Sequence, residues 1–388
     1  MKILILDWDS FGKEYIIDEF IKAGAGTTVY PWPFGSEDMR ENEKLESALE
    51  KKIKEENAEI VFSLNFFPVA AKVCCNCRIK YISWVYDTPF LLLYSMHIKY
   101  DTNMIFLFDK SQYNEFRKNG IGNVYYLPLA APVEVYDRIV RNKDERYCSD
   151  ISFVGSTYKE EQQDFFRLFK GISPYAEGYL EGIMKMQKRI YGEFILEELL
   201  SERILSELRS VCPVPRGNDE WESEAWIYAN YFLARKLTGE ERMEILGILS
   251  QKYTMSLYTS GETPELQDIR NLGPVDYMTQ MPQIFKNTKI NLNMTLRSIH
   301  SGIPLRAMDI MGCGGFLLTN YQEDFMEFFE PDVDFVYYLD NEDLLYKVGY
   351  YLSHEEERRK IAQNGYEKVK AAHTYRHRIR TMLDMLNI

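Results

Sequence analysis

Lys289-Ile-Asn-Leu-Asn-Met-Thr-Leu-Arg-Ser-Ile-His-Ser-Gly-Ile-Pro-Leu-Arg-Ala-Met-Asp-Ile-Met-Gly-Cys-Gly-Gly-Phe-Leu-Leu-Thr-Asn320 reads as strand, loop, helix, strand. The run after Lys289 is apolar and short, the length of a buried strand. Ser301-Gly302 interrupts it, and Pro304 stands where the first turn of a helix accepts a proline. Gly314-Gly315 stops that helix, and Phe316–Thr319 resumes as a strand. A loop entering a helix presents backbone N–H groups and the positive end of the helix dipole, which together favour a phosphate. Arg306 and Asp309 stand three apart on one helical face. The cation suits a diphosphate and the carboxylate suits two ribose hydroxyls. The same pair also fits a plain surface ion pair, with glycines that only permit tight packing.

The rhythm extends in both directions. Lys2–Leu6, Thr27–Tyr30, Glu59–Leu64, Lys80–Val85, Met104–Phe108 and Val124–Leu127 are apolar runs separated by helical stretches such as Glu41–Glu56, with Leu45, Leu49 and Ile53 on one face. Strands apolar throughout, alternating with helices, specify a parallel sheet covered on both faces. Pro128–Pro132 and the charged run Arg138–Arg146 read as a linker, and the pattern restarts at Ile151–Val154. Thr254–Tyr258, Ile290–Leu292, Phe316–Thr319 and Phe335–Tyr338 complete a second set. The expectation is an α/β protein of two Rossmann-like, doubly wound domains facing a cleft, residues 1–146 and 147–373. The tail, 374–388, carries an apolar stripe (Ile379, Met382, Leu383) for return to the first domain. Between Gly155 and Tyr253 no strand is evident, where a crossover takes roughly 30 residues. Leucines at helical spacing make 159–250 a helical insertion, with a turn at Pro213 and Pro215 and Asn218 or Asp219 as a helix cap.

The 388 residues carry a net charge of −13, which disfavours a nucleic-acid or anionic-membrane surface. The longest apolar runs fall well short of a membrane span, and six cysteines are too few for a disulfide framework, pointing to a reducing, cytoplasmic setting. Ala23-Gly24-Ala25-Gly26 ends a helix instead of starting one, so it is no dinucleotide fingerprint. Cys74, Cys75 and Cys77 lack the further ligands that a zinc site needs. In an α/β sheet, ligands gather at the carboxyl ends of strands. Gly155 and Ser156 end the first strand of the second half, and Asn293 and Arg297 flank the phosphate loop. Asp9 and Asp87 end strands of the first half, where either serves as a base or as a helix cap. His97 is a further possibility, more in keeping with a structural role.

The order I-N-L-N, S-G-I-P-L-R, D-I-M-G-C-G-G, F-L-L-T-N, then Glu355-Glu356-Glu357-Arg358 and Asn364-Gly365, resembles the donor domain of GT-B glycosyltransferases, and most nearly the bacterial CgeB-like, spore-maturation type. Tyr81-Ile-Ser-Trp84-Val-Tyr-Asp87-Thr-Pro89, Phe108-Asp109-Lys110, Leu127-Pro128-Leu129-Ala130 and Ile151-Ser-Phe-Val-Gly-Ser156 resemble that family's amino half and junction. The resemblance implies transfer of a sugar from a nucleoside diphosphate donor, most simply uridine diphosphate. No cofactor beyond that co-substrate and no metal are implied; the acceptor is a glycan, protein or small molecule. It puts Asp309 on the ribose, Val275 and Tyr277 at the base, and Ser301, Gly302, Ile303 and Arg306 at the diphosphate, with Arg297 and His300 as auxiliaries. Asp87, ahead of Asp9, would take the acceptor proton. The E-x7-E pattern of many retaining relatives asks for a carboxylate near Ser301 or Gly302, and none is present, so stereochemistry stays open. Asp332-Val-Asp334 spells a metal-binding D-x-D but follows Glu330-Pro331 in an expected surface turn. A nucleotide-sugar epimerase or hydrolase, or a non-catalytic binding protein, fits the same motifs.

Overall fold

Strands Ile60–Leu64 and Asn103–Leu107 are buried at every position, which requires a sheet with helices on both faces. The computed structural model describes all residues except 143, 161–162, 215, 218 and 387–388. It contains two such sheets, each of six parallel strands. The chain divides into two compact units, one of Met1–Leu129, Pro215–Glu222 and Thr374–Ile388, the other of Ala130–Val214 and Ser223–His373.

The first unit comprises β1 (Lys2–Asp7), α1 (Lys13–Lys22), β2 (Gly26–Pro31), α2 (Glu43–Glu56), β3 (Ile60–Leu64), α3 (Pro68–Cys77), β4 (Lys80–Val85), β5 (Asn103–Leu107), α4 (Lys110–Lys118) and β6 (Val124–Tyr126), with sheet order β2-β1-β3-β4-β5-β6. The second opens with α5 (Val133–Arg138) and β7 (Ile151–Val154). A helical insertion follows: α6 (Pro174–Gln187), α7 (Glu202–Val211) and α8 (Glu224–Ile227), which runs through a wider π-helical turn into α9 (Ala234–Ser250). Then come β8 (Met255–Tyr258), β9 (Arg270–Asn271), α10 (Met281–Asn287), β10 (Ile290–Asn293), α11 (Leu305–Gly312), β11 (Leu317–Asn320), α12 (Phe325–Phe328), β12 (Val336–Tyr338), α13 (Asn341–Ser353) and α14 (Glu355–Ala372). This sheet runs β12-β11-β10-β7-β8-β9. The final helix, α15 (Tyr375–Met385), packs in the first unit, where Tyr375 meets Tyr15 at 5.2 Å and Trp84 at 5.9 Å. There Arg378 donates to the carbonyls of Pro128 and Leu129.

Three features differ from the sequence reading. The stretch expected as a linker before residue 147 belongs to the second unit from Ala130 on, because Val133 and Tyr136 are buried in its core. Within the insertion, Asp219–Glu222 packs with the first unit. There Trp221 sits against Tyr94 and Phe116, and Arg40 pairs with Asp219 and Glu220. The rest of the insertion has its own core, including Leu180, Leu200, Ile204, Leu208 and Tyr228. The cysteine cluster lies on α3, which was not anticipated, and burial pushes the Cys74 thiol up. Pro215 and Asn218, expected at a turn and a cap, lie outside the described residues.

The 289–320 stretch folds as strand, loop, helix, strand. Pro304 caps α11, and Gly314, at φ +73°, takes the left-handed conformation that ends it. A Cβ on Gly315 would stand 2.7 Å from the Asn291 amide and 2.8 Å from the Phe285 carbonyl, so only glycine fits.

Candidate functional site

In the second sheet β8 and β9 lie to one side of β7 and β10 to the other, and a reversal of that kind opens a crevice at the carboxyl ends. Here the protein fills the position itself. Arg242 of α9 is buried, donates to the Ser156 carbonyl at 2.6 Å and to the Met294 carbonyl, and lies over the rings of Phe153 and Tyr158. Its Nε has no partner among the described residues, and burial holds its pKa below the usual arginine value. Beside it, Glu160 accepts from Ser156 Oγ at 2.6 Å, Thr157 N–H at 2.9 Å and Thr259 Oγ1 at 2.8 Å. Burial works against the Glu160 charge, yet these bonds hold its pKa below the usual carboxylate range. The loop at Gly155 and Ser156, expected to meet a phosphate, thus carries its own anion.

The residues flanking the expected phosphate loop are also engaged. Arg297 is buried, pairs with Glu241 at 2.5 Å, donates to the carbonyls of Ile190 and Lys188, and lies 3.9 Å from the Tyr191 ring centre. Asn293 donates to Thr295 and Thr319. His300 stacks on Phe194 and bonds Asn230. The carbonyls of Ser301 and Gly302 accept from Asp324 N–H and Gln322, and Ile303 is core. These residues brace the loop to α9 and to the segment after β11.

Tyr277, Arg306 and Asp309 do come together. Asp309 is fully buried and accepts on one oxygen from the hydroxyls of Tyr136, at 2.8 Å, and Tyr277, at 2.9 Å. Its second oxygen has no hydrogen-bond partner among the described residues and lies 3.8 Å from Arg306, whose side chain is part-exposed. Burial pushes the Asp309 pKa up to about 6, against the pull of Arg306 and the two tyrosines. The pair is therefore no surface ion pair. Full burial also means that a ribose reaches Asp309 only if the Tyr277 hydroxyl gives way; in the geometry observed, the carboxylate orients Tyr277 and Arg306. Val275 packs beside Tyr277 on the same core. An open groove of about 570 Å³ runs along Thr259–Pro264 to Gly273, at the carboxyl ends of β8 and β9.

In the first unit, Asp87 is half-buried and accepts from the Asn65 amide at 2.7 Å. Asp9 is 98% exposed on its side chain, has φ +65°, and pairs with Lys13. His97 bonds Ser95 and faces Asp219 at 3.4 Å, a packing role. In the D-x-D stretch Asp334 pairs with Lys368 at 2.5 Å and Asp332 accepts from Tyr351. Three residues of consequence went unnoticed in the sequence. Glu160 follows Thr157 at the S/T-x-x-E spacing of a helix-start motif, a usable signal. Arg242 and Tyr136 gave none, since their partners lie far along the chain.

Residues 232–384 match the family model described as glycosyl transferase-like. Among solved structures, Anabaena HepE in complex with UDP-glucose superposes with a TM-score of 0.57 at 10% identity, covering 100% of this chain and 99% of that one. The sucrose-phosphate synthase of Thermosynechococcus elongatus gives 0.58 at 10% identity, covering 100% and 98%. The chain has the GT-B fold. A UDP-forming α,α-trehalose-phosphate synthase from Burkholderia xenovorans shares this GT-B architecture, with a TM-score of 0.55 at 11% identity over 100% and 98%. No curated protein matches the sequence. Among the described residues of this GT-B chain, no helix is long and apolar enough to cross a membrane.

Proposed function

We propose that the chain transfers a hexosyl group from a uridine diphosphate sugar to an acceptor hydroxyl, as a CgeB-like glycosyltransferase, without a metal. The observation that carries this reading is the meeting of Tyr277, Arg306 and Asp309 within the segment matching the glycosyl transferase-like family. In the transfer, the bond from the sugar's anomeric carbon to the diphosphate breaks, and a bond from that carbon to the acceptor oxygen forms. Arg306 offsets the charge gained by the departing diphosphate, which is where electrostatic stabilisation acts most. Asp309 holds Arg306 and Tyr277 in place, and the groove ending at Gly273 has room for a nucleoside. Asp87 takes the proton from the acceptor hydroxyl. Six unpaired thiols agree with a reducing cytoplasm.

The test combines a thermal-shift screen of nucleoside diphosphates with transfer assays. Uridine diphosphate should stabilise most, and activity should survive chelator. Arg306→Ala should slow transfer on the order of a hundredfold while folding normally. An Arg306→Ala protein that binds donor and transfers like the parent would remove the donor-site assignment.

A further inference from the structure

Between α7 and α8 the chain leaves the second unit, and Asp219–Glu222 lies with the first. Its seat is a pair of 3-10 turns between β4 and β5, Leu91–Tyr94 and Met96–Lys99. The Met96 N–H donates to the Asp219 carbonyl at 2.9 Å and the Trp221 N–H to the Tyr94 carbonyl at 3.3 Å, around an antiparallel bridge of Ser95 with Glu220. Trp221 packs its ring on Tyr94 and Phe116, with centres 5.0 and 5.3 Å away. Arg40 reaches Asp219 at 3.3 Å and Glu220 at 2.5 Å, and Asp219 also accepts from Ser95 and faces His97 at 3.4 Å. Glu222 has no such company. It is 3% exposed, and neither of its carboxyl oxygens has a hydrogen-bond partner among the described residues. Glu220 Oε2 is buried and unpartnered as well.

An ionised carboxylate buried without a donor is very costly, and the group escapes that cost by taking up a proton. A protonated Glu222 becomes a donor, and Glu220 stands beside it as the acceptor. One proton then serves both side chains. We infer that Asp219–Glu222 is a proton-operated clasp, fastened to the first unit while Glu222 and Glu220 share a proton and opened when both are ionised. Burial, with the Glu220 charge adding to it, pushes the Glu222 pKa up to about 7, above the ordinary value near 4. Fastening therefore takes up a proton: its contribution is whole below about pH 4 and is lost as pH rises through about 7. The other charges nearby do not cancel this. Arg40 and the residue's own N–H oppose the rise, but Arg40 is already engaged with Asp219, Glu220 and the Leu91 carbonyl. Arg216 donates to the Glu222 main-chain carbonyl and leaves the carboxyl oxygens unpartnered. On the Tyr94 side the charged group is Glu115, a further anion. Once the clasp opens, the insertion loses its hold on the first unit at Trp221 and keeps its own core.

The test is amide hydrogen exchange on the full chain, with each rate divided by the intrinsic rate at the same pH. The reporters are the N–H groups of Trp221 and Met96, which bond across the clasp, and the amides of β3 serve as reference. From about pH 5.5 to about pH 8.5 the protection of both reporters should fall on the order of thirtyfold relative to β3. Glu222→Gln, which stays neutral, should hold that protection to within about threefold over the same range. Trp221→Ala should lower Met96 protection at every pH, because the ring that seats the clasp is gone. Parent protection that does not change with pH overturns the inference. So does a Glu222→Gln protein that follows the parent's profile, or Met96 protection indifferent to Trp221→Ala. The alkaline measurement is repeated with excess magnesium or calcium chloride; protection restored by either ion would mean that the unpartnered oxygens hold a metal in place of a proton, and would overturn it too.

Discussion

At the ends of β7 and β10 a buried arginine joins the two strand termini and a glutamate occupies the neighbouring loop. At the equivalent ends of β1 and β3, Trp8 and Asn65 support an aromatic surface part-exposed to water. Both sheets reverse direction beside their first strand, so topology offers each a crevice. Side chains decide whether it stays available. In the second unit, ionic groups of the protein itself take up the strand-end carbonyls and a loop N–H, and the polar cluster lies away from the reversal, on α11 and the loop before α10. In the first unit the reversal itself carries the rings and the carboxylate.

The largest effect expected from probing this contrast is at Arg242. Arg242→Met leaves the Ser156 and Met294 carbonyls without their donor, at a cost of about 3 kcal/mol in urea unfolding. A loss below about 1 kcal/mol would mean that the strand ends are not held by this group and that the filled crevice is an incorrect description. Next comes Asp309→Asn. Because its folded pKa is raised to about 6, above the ordinary value near 4, the native state holds this proton more tightly than the unfolded chain does. That contribution is full below about pH 4 and is lost as pH rises through 6. The asparagine variant, which does not titrate, should therefore gain on the parent by on the order of 2–3 kcal/mol between pH 4 and pH 7.5. Equal pH profiles for the two proteins would show that the carboxyl is not buried as described.

A smaller change is expected from Glu160→Gln. Removing the charge beside Ser156 and Thr157 should cost about 1 kcal/mol of stability. It should also raise affinity for uridine diphosphate several-fold if the diphosphate approaches this loop; lowered affinity would make Glu160 a supporting group for the donor instead. Asp9→Asn should matter least. A side chain 98% exposed and, among the described residues, in an ion pair only with Lys13 is worth less than about 0.5 kcal/mol, and transfer should be unaffected. A rate loss at Asp9 matching that at Asp87 would move the proton-accepting role to β1.

Much of the architecture was legible because periodicity is local. The apolar runs at Lys2, Ile60, Ile151 and Ile290 became central strands, and the glycines after α11 became its stop. What was missed depended on distant partners. Tyr136 falls between the two runs read as a linker and drew no reading of its own, because nothing nearby shows that its hydroxyl meets Asp309, 173 positions on. Arg297 looked available for phosphate because Glu241 lies in a different element, and Asp219–Glu222 looked like part of a continuous insertion. Spacing placed Arg306 and Asp309 on one face correctly, but spacing carries no information about depth, and depth set the carboxyl's chemistry.

The return of α15 to the first unit bears on how the chain is made. Tyr15 and Trp84 do not acquire their neighbour Tyr375, nor Pro128 and Leu129 their guanidinium donor, until α15 has been synthesised. At roughly 5–20 residues per second, the roughly 245 residues between Leu129 and Thr374 take roughly 12–50 seconds to translate. Throughout that interval the first sheet emerges from the ribosome with one flank uncovered, and the second unit is finished before it. The unit that starts earlier along this chain is therefore completed after the other, and its partly covered sheet is open to misassociation in the meantime.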